Sequence, residues 1–128
     1  MTRRETVERF RKRSSGFMEA AIERLNAGDY DLACFMAEQT VQLYLKSVIL
    51  EKTGEVPRTH SIRQLLSIVS ELSDVKLNLD RRSLIFLEDA YIKAGYLGSG
   101  YEKEDAEDAI KIAKEVMSAV SRAVEGEN

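Results

Sequence analysis

Three polar side chains recur at four-residue spacing inside the most apolar stretch of the chain. Glu38, Gln42 and Lys46 stand at i, i+4 and i+8 between residues 30 and 53. On a helix, this spacing stacks the three side chains along one face. Polar groups that are buried between apolar stripes must find hydrogen-bond partners, either in each other or in a ligand. This line of polar residues is therefore the first candidate site.

The second candidate is His60, the only histidine of the chain. It precedes Ser61, and the spacing of Ser61 and Gln64 is that of a capping box, so we expect His60 beside the start of a helix. An imidazole in that position is a candidate general base. The structural alternative is a ring whose nitrogens tie the loop to a neighbouring helix. Both interpretations stay open from the sequence.

Several other kinds of site lack the residues that they need. One cysteine, Cys34, and one histidine cannot form an internal disulfide or a zinc site, so we expect no metal and no cofactor. A Ser-His-Asp triad is not supported either, and we assign no catalytic residue. The glycine-rich stretch 95–101 does not have the GxxxxGK[ST] pattern of a P-loop. Cys34 is interpreted as a small core residue.

The polar line lies on the helix around which we expect the chain to be organised. The sequence predicts a helix over Tyr30–Thr53, with Asp29 as N-cap, Gly54 as the left-handed stop and Pro57 beyond it. Apolar residues form two stripes on this helix, so it needs neighbours on two sides. One of those neighbours should be a first helix that lies antiparallel to it, because the connection between them is short.

The remaining elements follow from caps and apolar periodicity. Thr2 and Glu5 have capping-box spacing at the start of the first helix, and Gly28 should end it. A short helix follows Ser61. A fourth helix carries Leu84, Leu87, Tyr91 and Ala94 and should stop at the glycine-rich stretch. The two tyrosines of that stretch should be exposed on a mobile loop. A final helix covers Glu102–Val124. The prediction is one all-α domain over residues 1–128: an up-and-down four-helix bundle with one additional short helix.

Charge and hydropathy limit the partners. The net charge of −3 argues against general affinity for RNA or DNA, although six basic residues against two acids fall within Arg3–Arg13. No apolar run approaches the roughly 20 residues that span a bilayer, and we expect a cytoplasmic protein without a membrane partner. Ala106, Ala109 and Ala113 form a small-residue face on the final helix that should close either the bundle or a dimer.

Four runs of residues resemble the HEPN family. They are YDLACFMAEQ at 30–39, YLKS at 44–47, PRTHSI at 57–62 and Ala94-Gly95-Tyr96 at the end of the fourth helix. The resemblance covers nearly the whole chain. It implies a helical bundle, commonly a homodimer, that is associated with nucleotide binding. It also implies, as a protein partner, a small nucleotidyltransferase, with which such proteins are often found in toxin–antitoxin pairs.

The sequence departs from the family at two positions that bear on function. HEPN ribonucleases carry an arginine and a histidine separated by four to six residues, but here Arg58 lies only two residues before His60. The absence of that motif leaves ribonuclease activity without its usual residues. Related non-nucleases have an Ala-Arg-Tyr run where this chain has Gly95 in the middle, so Lys93 or Lys46 would have to supply the missing cation.

The residues that match the family pattern define a candidate nucleotide-binding site: Glu38, Gln42, Lys46, His60, Tyr91 and Tyr96. In the functional interpretation, Lys46 and His60 face phosphate while Tyr91 or Tyr96 stacks on a base. In the structural interpretation, the same residues form an internal hydrogen-bond network. Gln42 is expected to bridge Glu38 and Lys46, since these two lie two turns apart. The line should face the fourth helix.

Three functions are therefore considered. The first is a nucleotide-binding or partner-binding module that acts with a separate nucleotidyltransferase. The second is a ribonuclease or toxin with a rearranged site around His60. The third is a non-catalytic dimeric scaffold, which would associate through the first or the final helix.

Overall fold

The computed structural model describes residues 1–98 and 100–126, so Ser99 of the predicted glycine loop and positions 127 and 128 lie outside the described residues. Within these ranges the chain is helical and contains no strand. The elements are α1 (Arg3–Asn26), α2 (Tyr30–Thr53), α3 (Ile62–Ser73), α4 (Arg81–Ile92), a π turn (Lys93–Leu97) and α5 (Lys103–Glu125). The predicted all-α fold, with four main helices and one short one, is confirmed.

The first helix begins and ends as its local sequence predicts. Thr2 Oγ1 accepts a hydrogen bond from the Glu5 N–H at 3.1 Å, and the Glu5 carboxylate accepts one from the Thr2 N–H at 3.3 Å. Gly28 has φ +79°, the left-handed conformation that ends a helix and favours glycine. Helices α1 and α2 then lie antiparallel, and the buried Ser14 hydroxyl donates to the Thr40 carbonyl at 2.7 Å.

Helix α2 is the centre of the bundle and contacts every other helix. The stripe through Ala37, Val41 and Val48 is buried, whereas in the second stripe Leu50 is buried and Leu32 is 38% exposed. The buried residues of the helix are Ala33, Cys34, Ala37, Glu38, Thr40, Val41, Gln42, Leu45, Ser47, Val48, Ile49 and Leu50. Gly54 ends the helix with φ +81°, as predicted. Asp29 occupies the N-cap position but makes no capping hydrogen bond, because its carboxylate lies 3.7 Å from the Arg24 guanidinium instead.

Helix α5 closes the bundle. Its small-residue face, Ala106, Ala109 and Ala113, is fully buried against the core. Of the two roles expected for this face, packing within the chain is the one observed. Among the described helices, none combines the length and hydropathy needed to cross a bilayer.

The end of α4 differs from the sequence prediction. The helix does not stop at the glycine-rich stretch but continues through Gly95 as the π turn, and Gly98 ends it with φ +60°. Gly95 lies against Phe35 of α2: a Cβ at this position would come within 2.5 Å of the Phe35 ring. Glycine therefore lets the π turn approach α2 more closely than any other residue would.

The two tyrosines of the glycine-rich stretch also differ from each other. Tyr96 is 70% exposed, as predicted. Tyr101 is half-buried, because its ring packs against the core and meets the Phe86 ring edge-on at 6.2 Å. Its backbone N–H donates to Asp31 at 2.9 Å, and burial raises the pKa of its hydroxyl to about 12. The prediction that both phenols are exposed is therefore wrong for Tyr101.

Candidate ligand-binding site

The inner end of the site is a buried carboxyl group on α2. Glu38 is fully buried, and its two oxygens accept hydrogen bonds from the side-chain amides of Gln39 and Gln42, the former at 2.8 Å. Burial disfavours the carboxylate and raises the pKa of Glu38 to about 7, although the two amide hydrogen bonds oppose the rise. This carboxyl group therefore titrates in the neutral range.

Gln42 connects this carboxyl group to the surface. Its Oε1 lies 3.2 Å from Nδ1 of His60, which is exposed in the loop before α3. The His60 ring stacks on Tyr91 of α4, with ring centroids 5.0 Å apart and planes inclined by 16°. His60 thus ties its loop to α2 through a hydrogen bond and to α4 through a ring contact.

Aromatic side chains extend the surface beyond His60. Tyr96 of the π turn meets Tyr91 edge-on, with centroids 5.8 Å apart. Behind them, the Phe35 ring lies 6.4 Å from Tyr91 and supports it from α2. We call His60, Tyr91 and Tyr96 the aromatic wall. Offset and edge-on pairs of this kind are favourable arrangements of aromatic rings.

Lys46 makes no hydrogen bond with the other predicted site residues, although its charge interacts with Glu38. Gln42 reaches Glu38 and His60 rather than Lys46, so the expected bridge to the lysine is absent. Lys46 is half-buried, its ammonium makes no hydrogen bond within the described part of the chain, and burial lowers its pKa. Hydrogen bonds and ring contacts therefore connect five of the predicted residues, namely Glu38, Gln42, His60, Tyr91 and Tyr96.

An open cleft of about 570 Å³ lies beside the aromatic wall. Its lining residues are His60, Ser61, Glu88, Asp89, Tyr91, Ile92, Lys93 and Leu97. Glu38 and Gln42 stand behind this surface rather than on it. The cleft thus differs from the predicted groove, because its inner wall is made by α4 and the π turn instead of by the polar line of α2.

Glu88 is the site residue that sequence reasoning missed. Its carboxylate accepts hydrogen bonds from the Ser61 hydroxyl at 2.7 Å, from the Arg63 N–H at 3.1 Å and from the Arg63 guanidinium at 2.9 Å. Burial opposes ionisation, but these donors outweigh it and lower the pKa of Glu88. No local sequence pattern predicts this contact, because the partners of Glu88 lie 25 to 27 positions away in the sequence.

Lys93 at the cleft and two arginines of the basic run on α1 have acidic partners. Nζ of Lys93, at the start of the π turn, lies 3.4 Å from the carboxylate of Asp89 on α4. The basic run of α1 is drawn to Glu51 of α2, whose carboxylate lies 2.9 Å from Arg4 and 3.0 Å from Arg11. Arg4 and Arg11 of that run therefore help to hold α1 against α2.

The one cysteine lies in the core as predicted. Cys34 is fully buried, and burial raises the pKa of its thiol to about 12. Within residues 1–98 and 100–126, no three His, Cys, Asp or Glu side chains converge as they would around a metal ion.

Residues 7–123 match the HEPN domain. The chain belongs to the HEPN domain family. The match covers both the polar line of α2 and the aromatic wall, and it confirms the resemblance that the sequence motifs indicated.

Two solved structures share the fold of this HEPN chain. TT1696 from Thermus thermophilus superposes with a TM-score of 0.74 at 24% identity, covering 91% of this chain and 97% of its own. ST0689, described as an archaeal HEPN homologue, superposes with a TM-score of 0.65 at 25% identity, covering 90% of this chain and 94% of its own. No curated protein sequence matches the chain.

Proposed function

We propose that this HEPN chain is a binding module that takes a nucleotide in the cleft beside the aromatic wall, with the base against His60 and Tyr91, which line the cleft, and next to Tyr96, which meets Tyr91 edge-on. The observation that supports the proposal is the parallel stack of His60 on Tyr91 at 5.0 Å, next to a tyrosine that is 70% exposed. Stacking on such rings stabilises a bound base by about 1–3 kcal/mol. A cleft of about 570 Å³ is within the usual size range of small-molecule sites.

The charges of the residues that line the cleft indicate which part of a nucleotide contributes most to its binding affinity. Glu88 is engaged by Arg63, and Lys93, the one lysine of the lining, lies beside Asp89. Two carboxylates and one ammonium give phosphate little net attraction. We therefore expect the base to dominate the affinity, so that a nucleoside should bind within roughly tenfold of its triphosphate.

Calorimetry with nucleosides and nucleotides of all four bases tests the proposal. Tyr96→Ala should weaken binding by roughly 5- to 100-fold, because a stacking ring is lost from an exposed position without affecting the core. Leu72→Ala is the matched control, since Leu72 is also partly exposed but belongs neither to the aromatic wall nor to the lining of the cleft. Absence of binding across the whole panel, or equal affinities of the two variants, would argue against this function.

A second candidate is binding of a protein partner on the same side of the molecule. Ile92, Tyr96 and Leu97 are 51%, 70% and 70% exposed and lie close together in the sequence. Clustered exposed apolar side chains are typical of protein contact surfaces. The partners implied by the family resemblance are a second copy of this chain and a minimal nucleotidyltransferase, the pairing found in toxin–antitoxin systems.

Sedimentation and co-purification test the second candidate. Leu97→Lys should dissociate a homodimer or abolish co-purification with a nucleotidyltransferase encoded beside this chain, because it places a charge in the apolar patch. A monomer that captures no such partner would count against this function, as would a complex that Leu97→Lys leaves intact.

Ribonuclease activity is not proposed. Arg58 is exposed in the loop, two residues before His60, so the two do not share a helix face, and Nδ1 of His60 faces Gln42. We expect no cleavage when the protein is incubated with total RNA. Cleavage that disappears in His60→Ala would overturn this expectation.

A further inference from the structure

The hydrogen bonds around Glu38 fix the orientation of the Gln42 amide. An ionised carboxylate can only accept hydrogen bonds, and both oxygens of Glu38 face side-chain amides. The Nε2 of Gln42 must therefore point toward Glu38. Its Oε1, which only accepts, is left to face His60 at 3.2 Å.

The orientation of the Gln42 amide in turn determines which nitrogen of His60 carries the proton. An acceptor within hydrogen-bond distance of Nδ1 requires Nδ1 to carry a proton. A neutral imidazole carries one N–H, so its Nε2 then has a bare lone pair. His60 is exposed and lines the cleft, where Nε2 is available to a ligand.

We propose that Glu38 is a positioning residue that, through Gln42, holds the neutral His60 ring as its Nδ1–H tautomer, so that the cleft presents a hydrogen-bond acceptor. As a statement about ligands, this rests on the proposed function. An acceptor at this position suits an N–H of a base or a hydroxyl of a sugar. It is unsuited to phosphate oxygens, which are also acceptors. We therefore assign the base or sugar, and not the phosphate, to His60.

The arrangement also makes His60 responsive to the protonation of Glu38. A protonated Glu38 can donate, which allows Gln42 to turn its Oε1 inward and its amide hydrogens toward His60. Nδ1 must then accept, and Nε2 becomes a donor. Three charged or titratable groups face Glu38: Lys46 on α2, which favours the carboxylate, and Glu88 and Tyr91 on α4. His60 interacts with Glu38 only through Gln42. Because burial raises the pKa of Glu38 to about 7, the change of tautomer is expected around neutral pH.

Nitrogen-15 NMR of the ligand-free protein tests the proposal, and the signals are unambiguous because His60 is the only histidine. In alkaline buffer, the Nδ1–H tautomer should be in roughly tenfold excess or more, since the other tautomer would leave two acceptors facing each other. In Glu38→Gln, the amide at position 38 can face Gln42 with either end, so the excess should largely disappear. Gln42→Met should also remove the excess of the Nδ1–H tautomer, because it eliminates the amide that connects Glu38 to His60.

Gln39→Leu is the matched control, because Gln39 donates to Glu38 but makes no contact with His60. This variant should keep the Nδ1–H tautomer in alkaline buffer. A wild-type ring that is mainly Nε2–H, or an excess that persists in both Glu38→Gln and Gln42→Met, would overturn the proposal. The measurement needs no ligand, so it can fail or succeed independently of the calorimetric test of nucleotide binding.

Discussion

Two glutamates near the cleft show how environment decides the state of a carboxyl group. Glu38 is fully buried with only neutral amide donors, so burial dominates and its pKa rises to about 7. Glu88 is also partly buried, but the charged Arg63 and the Ser61 hydroxyl hold its pKa below the ordinary value. The same side chain is therefore a proton acceptor near neutral pH in one position and a permanent anion in the other.

Glu38 should make the protein less stable as pH rises. Because its folded pKa lies above the reference value of 4.5, the folded state binds a proton more tightly than the unfolded state. The resulting stability is fully present below pH 4.5 and is lost as pH rises to about 7. The total change is on the order of 3 kcal/mol.

Urea denaturation of wild type and Glu38→Gln across this pH range measures the effect. Glu38→Gln cannot titrate, so its stability relative to wild type should increase as pH rises through the window. Glu51→Gln is the control: Arg11 and Arg4 lower the pKa of Glu51 below its reference value of 4.5, so its contribution to stability changes only at more acidic pH, and the difference between this variant and wild type should stay constant across the window. A stability difference between wild type and Glu38→Gln that stays constant with pH would contradict the assignment of a raised pKa to Glu38.

At the scale of elements, the π turn is what brings Tyr96 to Tyr91. The turn continues α4 past Ile92, and it packs on α2 because Gly95 leaves room for Phe35. A helix that ended at Ile92 would release Tyr96 from the aromatic wall. The departure from the Ala-Arg-Tyr run of related proteins thus has a packing consequence as well as an electrostatic one.

Gly95→Ala should destabilise the protein by about 1–3 kcal/mol, because the new Cβ forces Phe35 from its position. Gly16→Ala is the matched control within α1, where a Cβ meets nothing within 4 Å. It should stabilise the protein by about 0.5–1 kcal/mol through helix propensity alone. Thermal unfolding followed by circular dichroism compares the two. Equal effects of both substitutions would show that Phe35 does not restrict position 95.

Ser61 couples the start of α3 to α4. Its hydroxyl oxygen accepts from the Gln64 N–H at 3.2 Å and donates to Glu88 at 2.7 Å. Ser61→Ala should therefore cost about 1–2 kcal/mol in the free energy of unfolding. Ser67→Ala, on the exposed side of the same helix, should stay within about 0.5 kcal/mol of wild type. Indistinguishable urea midpoints for the two variants would show that the hydrogen bonds of Ser61 do not stabilise the protein.

At the scale of the whole molecule, α2 is enclosed by all the other helices, and its fully buried residues are reached only when the bundle opens. Cys34 is such a residue and the only thiol of the chain. If residues 1–126 form one cooperative unit, exposure of this thiol and loss of helix should be the same event.

Thiol labelling across a urea titration tests this expectation. Cys34 should react with a thiol reagent only over the range in which the helical signal is lost, because burial protects it and raises its pKa to about 12. Ser15→Cys, at an exposed position of α1, should react at once in the absence of urea. Rapid labelling of native Cys34 would indicate that part of the bundle opens independently.

The local elements of this fold were accessible from sequence because their signals are local. The capping box of Thr2 and Glu5 and the left-handed Gly28 and Gly54 lie within a few residues of the ends that they define. The π turn was not predicted, because the reason that Gly95 remains helical is a ring on another helix.

The sequence by itself determined the helical class, the central position of α2 and the stacking of Glu38 and Gln42 on one face, since these depend on periodicity along the chain. Only the tertiary structure decided that Gln42 turns toward His60 rather than Lys46, and that Glu88 joins the loop before α3 to α4. The physical reason is range. A helical repeat constrains neighbours three or four residues apart, whereas these contacts join groups 18 and 27 positions apart, which packing alone brings together.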